Sequence, residues 1–170
     1  GTSTVCAHVA RHMATLLGLK VLLVDLGGPR PGVANYAATM PEPPVVLTFD
    51  GTRTVAEMMG PNAGRLALTD LSREPGVGGK RPALDEVIAA AEGAFDLIVI
   101  DAPPWQSGPA ALLALRACTH VMLVASANTL SWEPLGRICT DLEAERVELV
   151  GCVFNRYHRR LPRFLQGALG

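Results

Sequence analysis

Two short apolar runs that each end in aspartate constrain this chain more than anything else in it: KVLLVD, ending at Asp25, and FDLIVID, ending at Asp101. A strand whose successive residues are apolar offers neither face to water, so both faces must be covered. Parallel sheets with helices on either side supply that cover. The overall balance agrees: 49% of the 170 residues are hydrophobic and 18% charged, an apolar mix for a chain of one domain's size.

Helical and strand patterns alternate along the rest. Residues 3–17 carry Val5, Val9, Met13 and Leu16 or Leu17 at helical spacing, predicting a helix that buries them and stops at Gly18. GGPRPG after Leu26 is a loop, because two glycines and two prolines continue neither regular structure. TVAEMMG, PALDEVIAAAEGA, PAALLALRA and SWEPLGRICTDLEAE read as helices, and RLALTDL, THVMLVAS and VELVGCVFN as strands. The Pro/Gly-rich stretches 39–51 and 72–81 read as surface loops. This order predicts a doubly wound α/β fold, its mostly parallel sheet built by right-handed crossovers and covered by helices on both faces. Residues 1–157 make the domain, and 158–170 a basic tail.

Several function classes drop out. A net charge of −1 lacks the basic excess of a nucleic-acid binder, so no nucleic-acid partner is expected. Cys6, Cys118, Cys139 and Cys152 are scattered without metal-ligand spacing or a disulfide framework, which fits a reducing cytosol. No apolar run reaches the roughly 18 residues of a membrane helix, and no secretory signal is visible. The chain starts at Gly1 without an initiator methionine, so residues upstream are expected to have been removed or not supplied.

Asp25 and Asp101 both sit at carboxyl ends of strands, the edge beyond which open α/β sheets bind ligands. GTST, Gly1 to Thr4, opens the first helix, where backbone amides and the helix dipole favour an anion. Together these are the parts of a phosphate and magnesium site: amides for phosphate, the Ser3 hydroxyl on the metal, carboxylates for its water shell. Each part alone has a plainer reading, an N-cap for GTST and a strand end for either aspartate.

With these residues in this order, the chain resembles the MinD/ParA group of P-loop ATPases, and most closely the bacterial tyrosine kinase domains of polysaccharide assembly. GTSTVCAHVA is similar to the family's G-K-[ST]-T helix start, KVLLVDLGGPRPG to its second acidic motif, FDLIVIDAPP to its Walker B strand, and GCVFNRY to the strand whose asparagine faces the base. The similarity runs from Gly1 to about Tyr157. It implies a P-loop fold binding ATP or ADP with Mg2+. Gly1, Thr2, Ser3 and Thr4 would cradle phosphate, and Ser3, Asp25 and Asp101 would hold the metal, the two aspartates being the catalytic carboxylates. Asn155 and Arg156 would face the base. It also implies a central strand before the phosphate loop, expected to lie upstream of Gly1. The implied setting is exopolysaccharide or capsule synthesis on the cytoplasmic side of the inner membrane. There the chain would dock to a membrane polysaccharide co-polymerase, with room for a homo-oligomer.

Two departures bear on activity. Thr2 stands where the phosphate-loop lysine would be, and Gly27 where the second acid would be. Phosphoryl transfer depends on positioning and charge stabilisation, and one lost charge contact commonly costs about 3 kcal/mol. The expectation is a degenerate site that regulates by binding rather than turnover. Only Tyr36 and Tyr157 are tyrosines, so a tyrosine-rich phosphorylated tail is not expected. The competing readings are a working MinD/ParA-like ATPase for positioning or partition, and an adaptor that binds no nucleotide.

His8 and His12 share a helix face without the glutamate or third ligand of a zinc site, so packing or solvent exposure is expected of them. His120 is expected to be structural at the start of a buried strand. Trp105 is expected to pack beneath the helix after the Walker B strand, and Trp132 to lie in the core or an interface. The tail, with Arg159, Arg160 and Arg163 among Leu161 and Phe164, reads either as a solvated end or as a contact for anionic lipid or an acidic partner.

Overall fold

The computed structural model describes residues 1–27, 32–61, 64–72, 82–126 and 132–156, the side chains of 132–134 excepted. The basic tail, most of the 72–81 loop and the Trp132 side chain lie outside the described residues. In chain order the elements are α1 (Thr2–Leu16), β1 (Val21–Asp25), α2 (Val33–Ala37), β2 (Val45–Val46), α3 (Val55–Met59), β3 (Leu66–Asp70), α4 (Leu84–Ala91) and β4 (Leu97–Asp101). A single 3-10 turn (Trp105–Ser107), α5 (Pro109–Arg116), β5 (His120–Ser126), α6 (Trp132–Ala144) and β6 (Glu148–Asn155) follow.

All described strand pairs are parallel. One sheet runs β2-β3-β1-β4 and a second pairs β5 with β6. β1 is buried along its whole length, and its alternation builds two cores. Val21 and Leu23 join Leu66 and Leu68 under α1 and α2, with Ala7, Ala10, Ala14, Val33 and Ala37. Leu22 and Val24 face the other way onto Val55, Val87 and Ala91 of α3 and α4. The sequence therefore reads correctly as a parallel sheet with helices on both faces. The four-stranded sheet ends at β2 and β4, and β5 and β6 pair as a separate two-stranded sheet. The start of α1 lies near β6 and β4: a Cβ on Gly1 would be 3.8 Å from Asn155 Nδ2, and the Cys6 thiol lies 4.0 Å from the Ile100 carbonyl oxygen.

Four local expectations are corrected. The face of α1 that packs is Ala7, Ala10 and Ala14 with Cys6 and Met13, whereas Val5 and Val9 are half-buried and Leu16 and Leu17 are 74% and 65% exposed. Small side chains win that face because they let the helix sit close to the sheet. Segment 39–51 is more than a loop: Val45 and Val46 pair with Ala67 and Leu68, and Leu47 is buried. α2 has no counterpart in the sequence reading; at five residues it cannot sustain itself and is held by its contacts. His120 is exposed, with Glu148 Oε2 3.5 Å from its Nε2, because β5 opens at the rim and not in the core.

Candidate functional site

Parallel pairing sets Asp25 directly beside Asp70 on one side and Asp101 on the other, a row of acids along the carboxyl edge. Asp25 and Asp101 are each 1% exposed. Both Asp25 oxygens accept from backbone: Gly27 N–H donates to Oδ1 at 2.8 Å and Ala34 N–H to Oδ2 at 3.0 Å. Asp101 is the opposite case. Its Oδ2 is buried with no hydrogen-bond partner. Burial pushes its pKa up, Asp25 adds to the rise, and hydrogen bonding from Ser3 and Cys6 opposes it. A buried carboxylate oxygen without a donor is costly unless something cationic or protic answers it.

α1 brings its amino end to this carboxylate, where Ser3 of the helix's first turn opposes the rise in the Asp101 pKa. Gly1 is the N-cap, with no side-chain cap bond and no acid in the first turn, and Thr2 and Thr4 are exposed. The first-turn amides therefore carry the unopposed positive end of the dipole. A Cβ on Gly1 would lie 3.8 Å from Asn155 Nδ2, so β6 delivers Asn155 to the same place. The Asn155 side-chain oxygen accepts from Arg156 N–H at 2.8 Å, and Arg156 is exposed in the left-handed region (φ 58°). Gly1, Ser3, Asp25, Asp101 and Asn155 thus converge. The residues present fit a hydrated magnesium ion at Asp101 and phosphate at the helix end, though no lysine faces the phosphate at position 2.

No family model matches the sequence, and no curated protein matches it. Solved structures do. The VpsO kinase domain has a TM-score of 0.62 at 18% identity over 90% of this chain and 75% of that one. The kinase domain of the Escherichia coli tyrosine kinase ETK gives 0.63 at 19%, over 95% of this chain and 63% of that one. The septum site-determining protein MinD of Pyrococcus horikoshii OT3, complexed with Mg-ADP, gives 0.61 at 17%, over 99% and 71%. The chain shares the fold of these two kinase domains and of MinD.

Within this P-loop fold, other residues take plainer roles. His8 Nε2 lies 2.7 Å from the Tyr36 hydroxyl, and His12 Nδ1 lies 2.8 Å from the His8 carbonyl oxygen. Among the described residues no group of three His, Cys, Asp or Glu side chains is placed to hold a metal. Trp105 is half-buried in the turn before α5. Asp70 was not singled out in the sequence; its signal is the register, visible only once β3 is paired with β1. The described cysteines are free. Burial, with Asp101 and Asp25 behind it, pushes the Cys6 thiol up to about 12. The thiolate is the reactive form, so Cys6 is held as the unreactive thiol near neutral pH. A maleimide or disulfide reagent at that pH is expected to label exposed Cys152 and leave Cys6 unmodified until the protein unfolds, as peptide mass mapping would record.

Proposed function

We propose that this chain is a bacterial-tyrosine-kinase-like P-loop protein of exopolysaccharide or capsule synthesis with a degenerate nucleotide site. It regulates a membrane polysaccharide co-polymerase by weak ATP or ADP binding rather than by turnover. The observation that carries the nucleotide part is the partnerless, buried Asp101 Oδ2 set against the uncapped amino end of α1. In this reading Ser3 and Asp101 face Mg2+ with Asp25 beside them on the neighbouring strand, residues 1–4 offer amides to phosphate, and Asn155 with Arg156 lies toward the base. Magnesium, when bound, would neutralise phosphate charge that no lysine at position 2 offsets. The polysaccharide setting draws on the fold shared with the VpsO and ETK kinase domains. Attachment to the membrane would come through the partner; no helix among the described residues is long and apolar enough to cross one.

Titrating ATP and ADP by calorimetry, with Mg2+ and with EDTA, tests this. The expected result is magnesium-dependent binding without measurable phosphate release. Steady turnover would favour a positioning or partition ATPase, and no binding would leave an adaptor. Thr2→Lys supplies the missing ammonium and is expected to tighten ATP by about a hundredfold, the equivalent of about 3 kcal/mol.

A further inference from the structure

We infer that Asp25 is a positioning residue of this site, and that Asp101 is the carboxylate offering free acceptor capacity to a cation. The inference rests on the nucleotide reading above and divides its labour between two acids that the sequence presents alike. Both end adjacent strands in matched register and both are 1% exposed, yet their hydrogen bonding is opposite. Both Asp25 oxygens are met by backbone, at 2.8 Å from Gly27 N and 3.0 Å from Ala34 N, while Asp101 Oδ2 has no partner.

The backbone also closes around Asp25 sterically. A Cβ at Gly27 would sit 2.8 Å from Asp25 Oδ1, and one at Gly32 would overlap Oδ2 and lie 2.8 Å from Oδ1. Contacts that short exclude a side chain at either position unless the carboxylate moves. Two glycines thus let the chain pass against Asp25, and the carboxylate ties the end of β1 to the first turn of α2. α2 in turn reaches back to α1 through the Tyr36 hydroxyl and His8 Nε2, 2.7 Å apart. The clasp holds Gly27 beside the cation position: its Cβ would lie 3.9 Å from Asp101 Oδ2.

Thermal unfolding of the free protein, paired with ATP titrations in Mg2+ and in EDTA, tests the division. Asp25→Asn places an amide donor against one of two N–H groups. The expected result is a midpoint lower by about 5 °C and ATP affinity reduced about fivefold, with the ratio of affinities in Mg2+ and EDTA persisting. Asp101→Asn is expected to bring that ratio close to one. Should Asp25→Asn fail to fold, Gly27→Ala displaces the carboxylate without removing its charge and is expected to lower the midpoint while keeping the ratio. Loss of the ratio in the folded Asp25→Asn protein, or in Gly27→Ala if only that folds, overturns the inference, as does a wild-type midpoint in either variant. If the unaltered protein shows no magnesium-linked ATP binding, the nucleotide reading fails, and the midpoints alone decide whether the clasp exists.

Discussion

Asparagine in place of Asp101 is expected to stabilise the free protein while removing its response to magnesium. The side chains are nearly the same size, so packing is kept while the charge is lost and one acceptor oxygen becomes an amide donor. That charge is buried, one of its oxygens is unpartnered, and Asp25 repels it from the neighbouring strand. Relief of such strain at a functional site commonly returns about 1 kcal/mol, or about 2–4 °C in a chain of this length. The pH dependence carries the same signature. Folding raises the pKa of Asp101, so the folded state holds more protons than the unfolded one above the ordinary carboxylate range. Stability from this group is therefore greatest below that range and is lost as pH rises through the raised value. Scanning calorimetry from pH 4 to 8, without magnesium, is expected to show this decline in the wild type and a flatter profile in Asp101→Asn. A variant less stable than wild type at neutral pH would mean that Asp101 is held by contacts worth more than its desolvation.

Valine at Gly32 is expected to have the largest effect on stability. Its Cβ would occupy the space of the Asp25 carboxylate, so either α2 lifts or the carboxylate leaves its two amides. Overpacking of about 1–3 kcal/mol adds to the loss of hydrogen bonds to a charged acceptor, about 1.5–3 kcal/mol. Together these lower the midpoint by about 10 °C. A double-mutant cycle isolates the cause. In an Asp25→Ala background, Gly32→Ala has no carboxylate to displace and is expected to cost under about 1 kcal/mol. Additive costs in the two backgrounds would place the origin of the loss elsewhere than in the clasp.

The strands were legible because buried parallel strands leave continuous apolar runs, as in KVLLVD and FDLIVID. Asp25 and Asp101 were legible as a pair for the same reason: both terminate such runs, and adjacent parallel strands bring matched ends together. Asp70 escaped notice because RLALTDL carries on to buried Leu71, so nothing local marks its aspartate as a strand end. The buried face of α1 was misread because periodicity weights valine and leucine above alanine, whereas the spacing to the sheet selects alanine. α2 and β2 are too short to leave a pattern; one is seated by Asp25 and the α1 face, the other by pairing with β3. The clasp around Asp25 depends on which amides fold back upon it, which residue type alone does not encode.

The three alanines of α1 set the gauge of the molecule. Their small side chains let helix and sheet pack closely, and that nearness brings a short serine side chain to a carboxylate sunk at the end of β4. Any wider residue at 7, 10 or 14 would act as a shim, lifting the helix and parting Ser3 from Asp101 without touching either.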